Sequence, residues 1–348
     1  MASGSPAIAE PRRHHYVPRF LMKNFATQRR AGHFQIWAFD KATERSFRTA
    51  VENVAVESDF YSLDQSGVRL SLEAAMGMIE SDAAAPIAEI LERRSLSGLT
   101  PSQRSAINLF CALQFVRGTA TRAQLTDLIS RVMHRARELT SAPSDEATVT
   151  DQDEAKLVAF KLIVEQLAEL ALHFSSKDLL LFEATEGTEF ILGDNPIAMQ
   201  NERDFGPYGN IGLALPNIEI YLPIGVRYSL AFYCPTILRE LRSGVAKARR
   251  AAADARVRMT IGSAEVAADA AVKASELEAI GVRLSRMPNA RDAGMPLIAE
   301  EDHVTRLNSL QVRWAERWLL GRGANFDIAR RMIAADESYR SGLRFSLS

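Results

Sequence analysis

The chain contains little cysteine, almost no net charge and no long apolar run. Only Cys111 and Cys234 occur among its 348 residues, which excludes a disulfide scaffold and a zinc site built on several thiolates. The formal net charge is -1, so any site for an anionic partner has to be local. No run of residues has the length and apolarity of a bilayer span, and no apolar segment of a secretory signal follows the first basic residues. Together with two free thiols, these absences predict a cytoplasmic protein.

Common nucleotide-binding and hydrolase motifs are also absent from the sequence. There is no Walker loop, no Gly-x-Gly-x-x-Gly, no His-Glu-x-x-His and no Gly-x-Ser-x-Gly. Their absence disfavours P-loop enzymes, nucleotide-cofactor oxidoreductases and serine hydrolases. Hydrophobic residues make up 47% of the chain and charged residues 24%, which is an ordinary globular mixture with enough apolar material for a core.

Apolar periodicity predicts an α+β protein that is predominantly helical. Short alternating runs predict an N-terminal strand cluster, with a strand at 34–39, and a second strand cluster near 178–233; the two clusters are candidates for one sheet. A 3.6-residue period predicts helices at 70–94, 106–139, 154–174, 236–258, 264–279 and 303–320. The signal Thr100-Pro101-Ser102 predicts a helix start. On helical spacing, Trp314 and Trp318 are expected in the core.

The same patterns predict the organisation of the chain. We expect residues 1–11 to be a disordered arm and residues 12–320 to form a single α+β domain, with a candidate sub-boundary near 141–153. Residues 321–348 are expected to form a C-terminal helix and tail.

An ordered set of short motifs resembles domain-of-unknown-function family 4238. The set runs from about residue 14 to residue 320 and consists of His14-His15-Tyr16-Val17-Pro18, Asn24-Phe25, Ile36-Trp37, Asp40-Lys41, Asp59-Phe60-Tyr61, Leu72-Glu73, Ile79-Glu80, Gln114, Arg117, Gly193-Asp194-Asn195-Pro196, Tyr221-Leu222-Pro223 and Leu307-Asn308. The resemblance implies a bacterial cytoplasmic family without a defined activity. Members of that family usually carry Ser-Asp-Asn-Pro, so Gly193 removes a hydroxyl here.

Two adjacent histidines, His14 and His15, are the first candidate site residues. A neutral imidazole can ligate a metal or act as a general base near neutral pH. The only acidic residue before Asp40 is Glu10, whereas the basic residues before it are Arg12, Arg13, Arg19, Lys23, Arg29 and Arg30. Such local positive charge suits phosphates. The alternative interpretation is a histidine hydrogen-bonded in a turn beside a solvated basic arm.

Polar residues in apolar helices are the second group of candidates. Glu80 lies on the apolar stripe of its helix, so its carboxylate belongs to a site or to a buried ion pair, for example with Arg117. Gln114 and Arg117 share one helix face, and Arg117 would hold a substrate phosphate or tie Glu80 or Asp59 into the core. Both interpretations remain open at this point.

Asp194 follows a strand in an Asp-Asn-Pro turn and is the third candidate. As a carboxylate at a strand end it could ligate a metal. The alternative is the usual one for an aspartate in a turn, which is to accept backbone N–H hydrogen bonds.

Two hypotheses about function follow. The leading one is a metal-dependent phosphodiesterase or nuclease acting on nucleic acid, in which His14 or His15 is the base. In it, Asp59, Glu80 and Asp194 hold Mg²⁺ or Mn²⁺. Phosphate is bound by Arg12, Arg13, Arg19, Gln114 and Arg117. The alternative is a non-catalytic recognition or regulatory protein, in a bacterial defence or toxin-related system. It predicts that His14, Glu80 and Asp194 lie apart, each with local structural partners.

Overall fold

A computed structural model describes residues 13–58, 62–65, 68–71, 73–118, 135, 165–203 and 211–343. For residues 13, 14, 57, 58, 62–65, 68–71, 73 and 74 it describes the backbone alone. The chain folds into helices and two five-stranded sheets, which confirms the predicted α+β class with an N-terminal strand cluster.

The described strands and helices have the following bounds. The described strands are β1 (Arg13–His15), β2 (Thr27–Arg30), β3 (His33–Asp40), β4 (Arg45–Ala50), β5 (Val56–Ser58), β6 (Ser62–Gln65), β7 (Val68–Ser71), β8 (Asp178–Ala184), β9 (Leu192–Gly193), β10 (Ala198–Gln200), β11 (Glu219–Gly225), β12 (Tyr228–Tyr233), β13 (Leu297–Ala299) and β14 (Trp318–Gly321). The described helices are α1 (Arg19–Lys23), α2 (Glu73–Arg93), α3 (Pro101–Arg117), α4 (165–175), α5 (Pro235–Ile261), α6 (Ala264–Ala293), α7 (Glu301–Trp314) and α8 (Asp327–Ala335).

The N-terminal sheet consists of β2, β3, β4, β14 and β9, with β3 at its centre. β4 pairs with β3 along one edge, while β2 and β14 pair in succession along the other. One face of β3 presents Ile36 and Ala38 to the main core. The other face packs Phe39 against Phe326, with the ring centroids 5.5 Å apart, in a smaller core completed by α8.

The central sheet has the strand order β10-β11-β12-β8-β13 and is antiparallel except where β13 runs parallel to β8. Every residue of β11 and β12 is buried, so both faces of these two strands are covered by the rest of the protein. The expectation that the two strand clusters form one sheet is wrong. After β8 the chain crosses to the N-terminal sheet, where Leu192 and Gly193 pair with β14.

Helix α7 links the two sheets and ends earlier than predicted. The Trp314 indole donates a hydrogen bond to the Met199 carbonyl at 3.0 Å, which joins α7 to the central sheet. The backbone at Ala315 is extended, so the predicted helix at 303–320 stops at Trp314 and Trp318 begins a strand instead. The predicted start of α3 is confirmed, because Thr100 and Gln103 form a capping box. No described helix is both long and apolar enough to cross a bilayer.

Candidate functional site

Arg117 forms the centre of a buried polar cluster that contains three of the predicted site residues. Its guanidinium donates one hydrogen bond to the Glu80 carboxylate and another to the His15 backbone carbonyl. The Arg117 side chain is only 3% exposed, compared with 22% for Glu80. The structure thus contains the Arg117–Glu80 ion pair that was one of the two interpretations from sequence, and it joins α2, α3 and β1. We call these residues, together with Gln114, the Arg117 cluster.

The His15 ring lies in this cluster as a neutral imidazole. Burial lowers its pKa to about 4, helped by the positive charges of Arg19 and Arg117, and the ring is hydrogen-bonded to the Val54 backbone. Its Nδ1 atom is buried and has no hydrogen-bond partner among the described residues. An unprotonated ring nitrogen accepts a hydrogen bond, takes up a proton or ligates a cation.

Gln114 is the least satisfied polar side chain of the cluster. It is 1% exposed, and neither its amide oxygen nor its amide nitrogen has a hydrogen-bond partner within the described part of the chain. One turn further along α3, Gly118 lies against Asn195: a Cβ placed on Gly118 would be 3.3 Å from the Asn195 side chain. The end of α3 therefore contacts the turn that contains Asp194.

The Asp194 carboxylate holds a distant stretch of backbone. One oxygen accepts the N–H of Glu316 at 2.7 Å, and the other accepts those of Arg317 at 3.0 Å and Trp318 at 2.9 Å. Asp194 is 3% exposed, and this burial raises its pKa to about 6 despite the three N–H donors. These hydrogen bonds fix the connection between α7 and β14. The partners of Asp194 are therefore backbone amides, as in the second interpretation from sequence, but they do not belong to its own turn.

Lys41 and Asp40 hold the same connection from the opposite side. The Lys41 ammonium is fully buried and donates to the backbone carbonyls of Val312, Ala315 and Ser341. Burial lowers its pKa to about 8, although the charge of Asp194 opposes the shift. The Asp40 carboxylate accepts two hydrogen bonds from Arg317, at 2.9 and 3.3 Å. Sequence reasoning placed Asp40 and Lys41 among the family landmarks but gave neither of them a role.

Position 193 holds a glycine where the family motif usually has a serine, and the neighbouring side chain of Gln311 explains this departure. A Cβ at this position would lie 3.1 Å from the Gln311 amide oxygen and 3.2 Å from the Gln311 carbonyl oxygen. That amide oxygen accepts the Gly193 N–H at 2.9 Å, and the Gln311 amide nitrogen donates to the Pro196 carbonyl. Gln311 thus occupies the space that a serine side chain would need.

We expect Gly193→Ala to lower the free energy of unfolding by about 1–2 kcal/mol, because the new methyl group displaces Gln311 and overpacks the turn. Urea denaturation monitored by circular dichroism measures the change. Gly323→Ala is the control, since a Cβ at this exposed loop position meets no atom within 4 Å. Equal free energies of unfolding for the two variants would show that the turn accommodates the methyl group without losing stability.

The remaining predicted site residues are not brought into one metal centre by the described part of the structure. Arg19 is half exposed and pairs with Glu52 at 2.6 Å. Arg12, Asp59 and the side chains of Arg13 and His14 lie outside the described residues. Within the described ranges, no group of three or more histidine, cysteine, aspartate or glutamate side chains is placed to hold a metal ion.

The positive charge of the N-terminal segment is only partly neutralised in the fold. The three acidic side chains described between residues 15 and 56 are each paired: Asp40 with Arg317, Glu44 with Arg340 and Glu52 with Arg19. Four arginines on the N-terminal sheet are exposed and form no ion pair with any described residue: Arg29, Arg30, Arg45 and Arg48. We call these four the free arginines.

An aromatic pair lies beside the free arginines on β4. Phe47 is 40% exposed and meets the Trp318 ring edge-on, with the centroids 5.7 Å apart. The Arg317 guanidinium stacks over the Trp318 ring at 4.5 Å. By strand register, Arg45 and Phe47 share one face of β4, and Arg48 lies on the other. Among the described residues, β4 pairs only with β3, so its second edge is open.

Comparison with known proteins identifies a family but no activity. Residues 13–324 match the family described as Protein of unknown function (DUF4238). No curated protein and no solved structure matches the chain. Because the match covers far more than half of the sequence, the chain belongs to the family Protein of unknown function (DUF4238).

Proposed function

We propose that this protein is a recognition protein that binds single-stranded nucleic acid along β4 of its N-terminal sheet. One observation carries the proposal: every described acidic side chain of residues 15–56 is paired, whereas four exposed arginines on this sheet form no ion pair with a described residue. Two of these arginines, Arg45 and Arg48, lie on β4. Unpaired exposed arginines supply the positive charge that the phosphate backbone requires. The protein as a whole has a net charge of -1, so this charge is a local feature.

The aromatic pair argues for a single strand rather than a duplex. Phe47 exposes part of its ring on the same face of β4 as Arg45, and aromatic rings next to arginines form stacking platforms for unpaired bases. A duplex offers no free base faces to such a platform. The partners of Glu80 and Asp194 also favour recognition over hydrolysis, since one carboxylate pairs with Arg117 and the other with three backbone amides.

The proposal predicts specific losses of affinity. We expect the double variant Arg45→Ala/Arg48→Ala to bind a fluorescent single-stranded RNA or DNA at least about tenfold more weakly, because two phosphate contacts are lost. Phe47→Ala should weaken binding about fivefold or more, since one base loses its stacking partner. Fluorescence anisotropy titrations at a fixed salt concentration measure both.

A matched control removes the same charge elsewhere. Arg239→Ala/Arg313→Ala deletes two exposed arginines of α5 and α7, neither of them on β4, and we expect it to bind like the wild type. No binding by the wild-type protein, or equal weakening by the two double variants, would refute the role of β4.

A second candidate function, metal-dependent phosphodiesterase or nuclease, rests on His15. Its Nδ1 has no hydrogen-bond partner among the described residues, and Arg117 donates a hydrogen bond to the backbone carbonyl of the same residue. A ring nitrogen near a guanidinium could serve as a base next to a phosphate-binding group. Incubating the same oligonucleotides with Mg²⁺ or Mn²⁺, and separately with chelator, tests it. Cleavage that requires the metal and disappears in His15→Ala supports this function; intact oligonucleotides in every reaction exclude it for these substrates.

A further inference from the structure

Helices α5 and α6 form a long antiparallel hairpin with an unusual amount of exposed apolar surface. Seven of the twelve large hydrophobic side chains that are exposed among the described residues belong to this hairpin. On α6, Val272 is 61% exposed, Ile280 38% and Val282 63%. Exposed apolar side chains on one side of a helix, such as Val272 and Val282, indicate an interaction surface.

The inner side of α6 is already used. Its residues at intervals of four and three are buried or half-buried: Ala270, Ala274, Leu277, Gly281, Leu284 and Pro288. Among them, Leu284 lies against Gly244 of α5. Their small size allows close packing, since a Cβ on Gly281 would lie 3.7 Å from the Ala248 methyl group. This spacing is that of a coiled-coil seam.

A second seam with the same spacing runs along the opposite side of α6 and is open to solvent. We call it the outer seam; its members are Ala268, Val272, Ser275, Ala279, Val282 and Arg286, all of them exposed. Each lies two positions before a residue of the inner seam, which is more than half a turn around the helix. A surface depression lined by Ala279, Ile280, Val282, Arg283 and Arg286 lies on this side.

The charges beside the outer seam are divided between the two halves of the helix. Three side chains near the seam already have partners inside the chain: Glu278 with Arg256, Asp292 with Arg242, and Arg291 with Asp178. Those that form no ion pair with a described residue are Glu265, Asp269, Lys273 and Glu276 in the first half and Arg283 and Arg286 in the second. An acidic half followed by a basic half is complementary to itself when two copies run antiparallel.

We propose that the outer seam is a homodimer interface, in which α6 of one copy packs antiparallel against α6 of a second copy about a twofold axis. With Val272 of one copy opposite Ala279 of the other, Asp269 lies beside Arg283, and Glu265 lies beside Arg286. Near the axis, Glu276 faces Lys273 across the interface. A twofold axis repeats each of these contacts, which is the self-complementarity that an isologous interface requires.

A charge swap tests this arrangement without any nucleic acid. Sedimentation velocity of the wild-type protein from about 1 to 100 µM should show a shift from 38.5 kDa to twice that mass. We expect Asp269→Arg alone and Arg283→Asp alone to weaken dimerisation at least about tenfold, because each places like charges together twice. The double variant Asp269→Arg/Arg283→Asp restores opposite charges and should dimerise like the wild type.

The outcomes separate the proposed interface from others. Both substituted positions are exposed, and circular dichroism checks that each of the three variants is folded. A monomeric wild-type protein at every concentration overturns the proposal. A dimer that neither single variant weakens also overturns it. So does a double variant that is folded but stays monomeric. Nucleic-acid binding by β4 is measured in a separate experiment, and its result does not depend on whether the protein dimerises.

Discussion

Replacing Asp194 by alanine lowers the free energy of unfolding by about 3–5 kcal/mol, which is the largest single effect that we expect. The substitution removes a buried carboxylate and leaves three N–H groups, those of Glu316, Arg317 and Trp318, without their acceptor. It also removes the nearest negative charge from Lys41. Urea denaturation of the purified protein at neutral pH measures the loss.

A graded series makes the Asp194 prediction specific. Asp194→Asn keeps one oxygen acceptor and loses the other, so we expect a loss of stability between those of the wild type and the alanine variant. Glu186→Ala removes a carboxylate from an exposed turn and serves as the control, with little change expected. A change of less than about 1 kcal/mol in Asp194→Ala would mean that water replaces the carboxylate and that the turn is not a fixed joint.

Replacing Lys41 by methionine lowers the free energy of unfolding by about 2–4 kcal/mol. Methionine fills similar space but leaves the carbonyls of Val312, Ala315 and Ser341 without their common donor. Lys247→Met, on the exposed side of α5, is the matched control and should change stability little.

The Lys41 prediction has a pH dependence with a defined sign. The folded-state pKa of Lys41 is about 8, below its ordinary value of 10.5, so between these pH values the unfolded chain binds more protons than the folded protein. The wild type therefore gains stability relative to Lys41→Met as the pH rises through this window. Unfolding measured at about pH 7.5, 9 and 10 tests it; a difference that stays constant or shrinks would show that the buried group is not a cation with a lowered pKa.

The sequence predicted local structure where one periodicity dominated. The aromatic alternation of residues 34–39 predicted a strand that is present as β3, and the Thr100 signal predicted the start of α3. Helical spacing failed at Trp318, because the chain leaves α7 in an extended conformation at Ala315 and Trp318 pairs with Asp40 across the N-terminal sheet. Such pairing depends on a strand more than 270 residues away in the sequence, so local spacing does not reveal it.

The candidate site was predictable in residue type but not in partners. The isolated polar residues Glu80 and Arg117 in apolar helices indicated a buried polar cluster, and the ion pair was one of two interpretations. Nothing in the Asp-Asn-Pro turn indicated that Asp194 holds the backbone of residues 316–318 rather than its own turn. The free arginines became distinguishable from Arg19 and Arg317 only once the positions of Asp40, Glu44 and Glu52 were known.

The salt dependence of nucleic-acid affinity tests the recognition of nucleic acid by Arg45 and Arg48 along β4 most directly. Each phosphate contact to a single strand contributes about 0.7 to the slope of log affinity against log salt concentration. We predict that Arg45→Ala/Arg48→Ala lowers the magnitude of this slope by about 1.4 relative to the wild type, whereas Arg239→Ala/Arg313→Ala leaves it unchanged. Equal slopes for the wild type and the β4 variant would contradict the proposal.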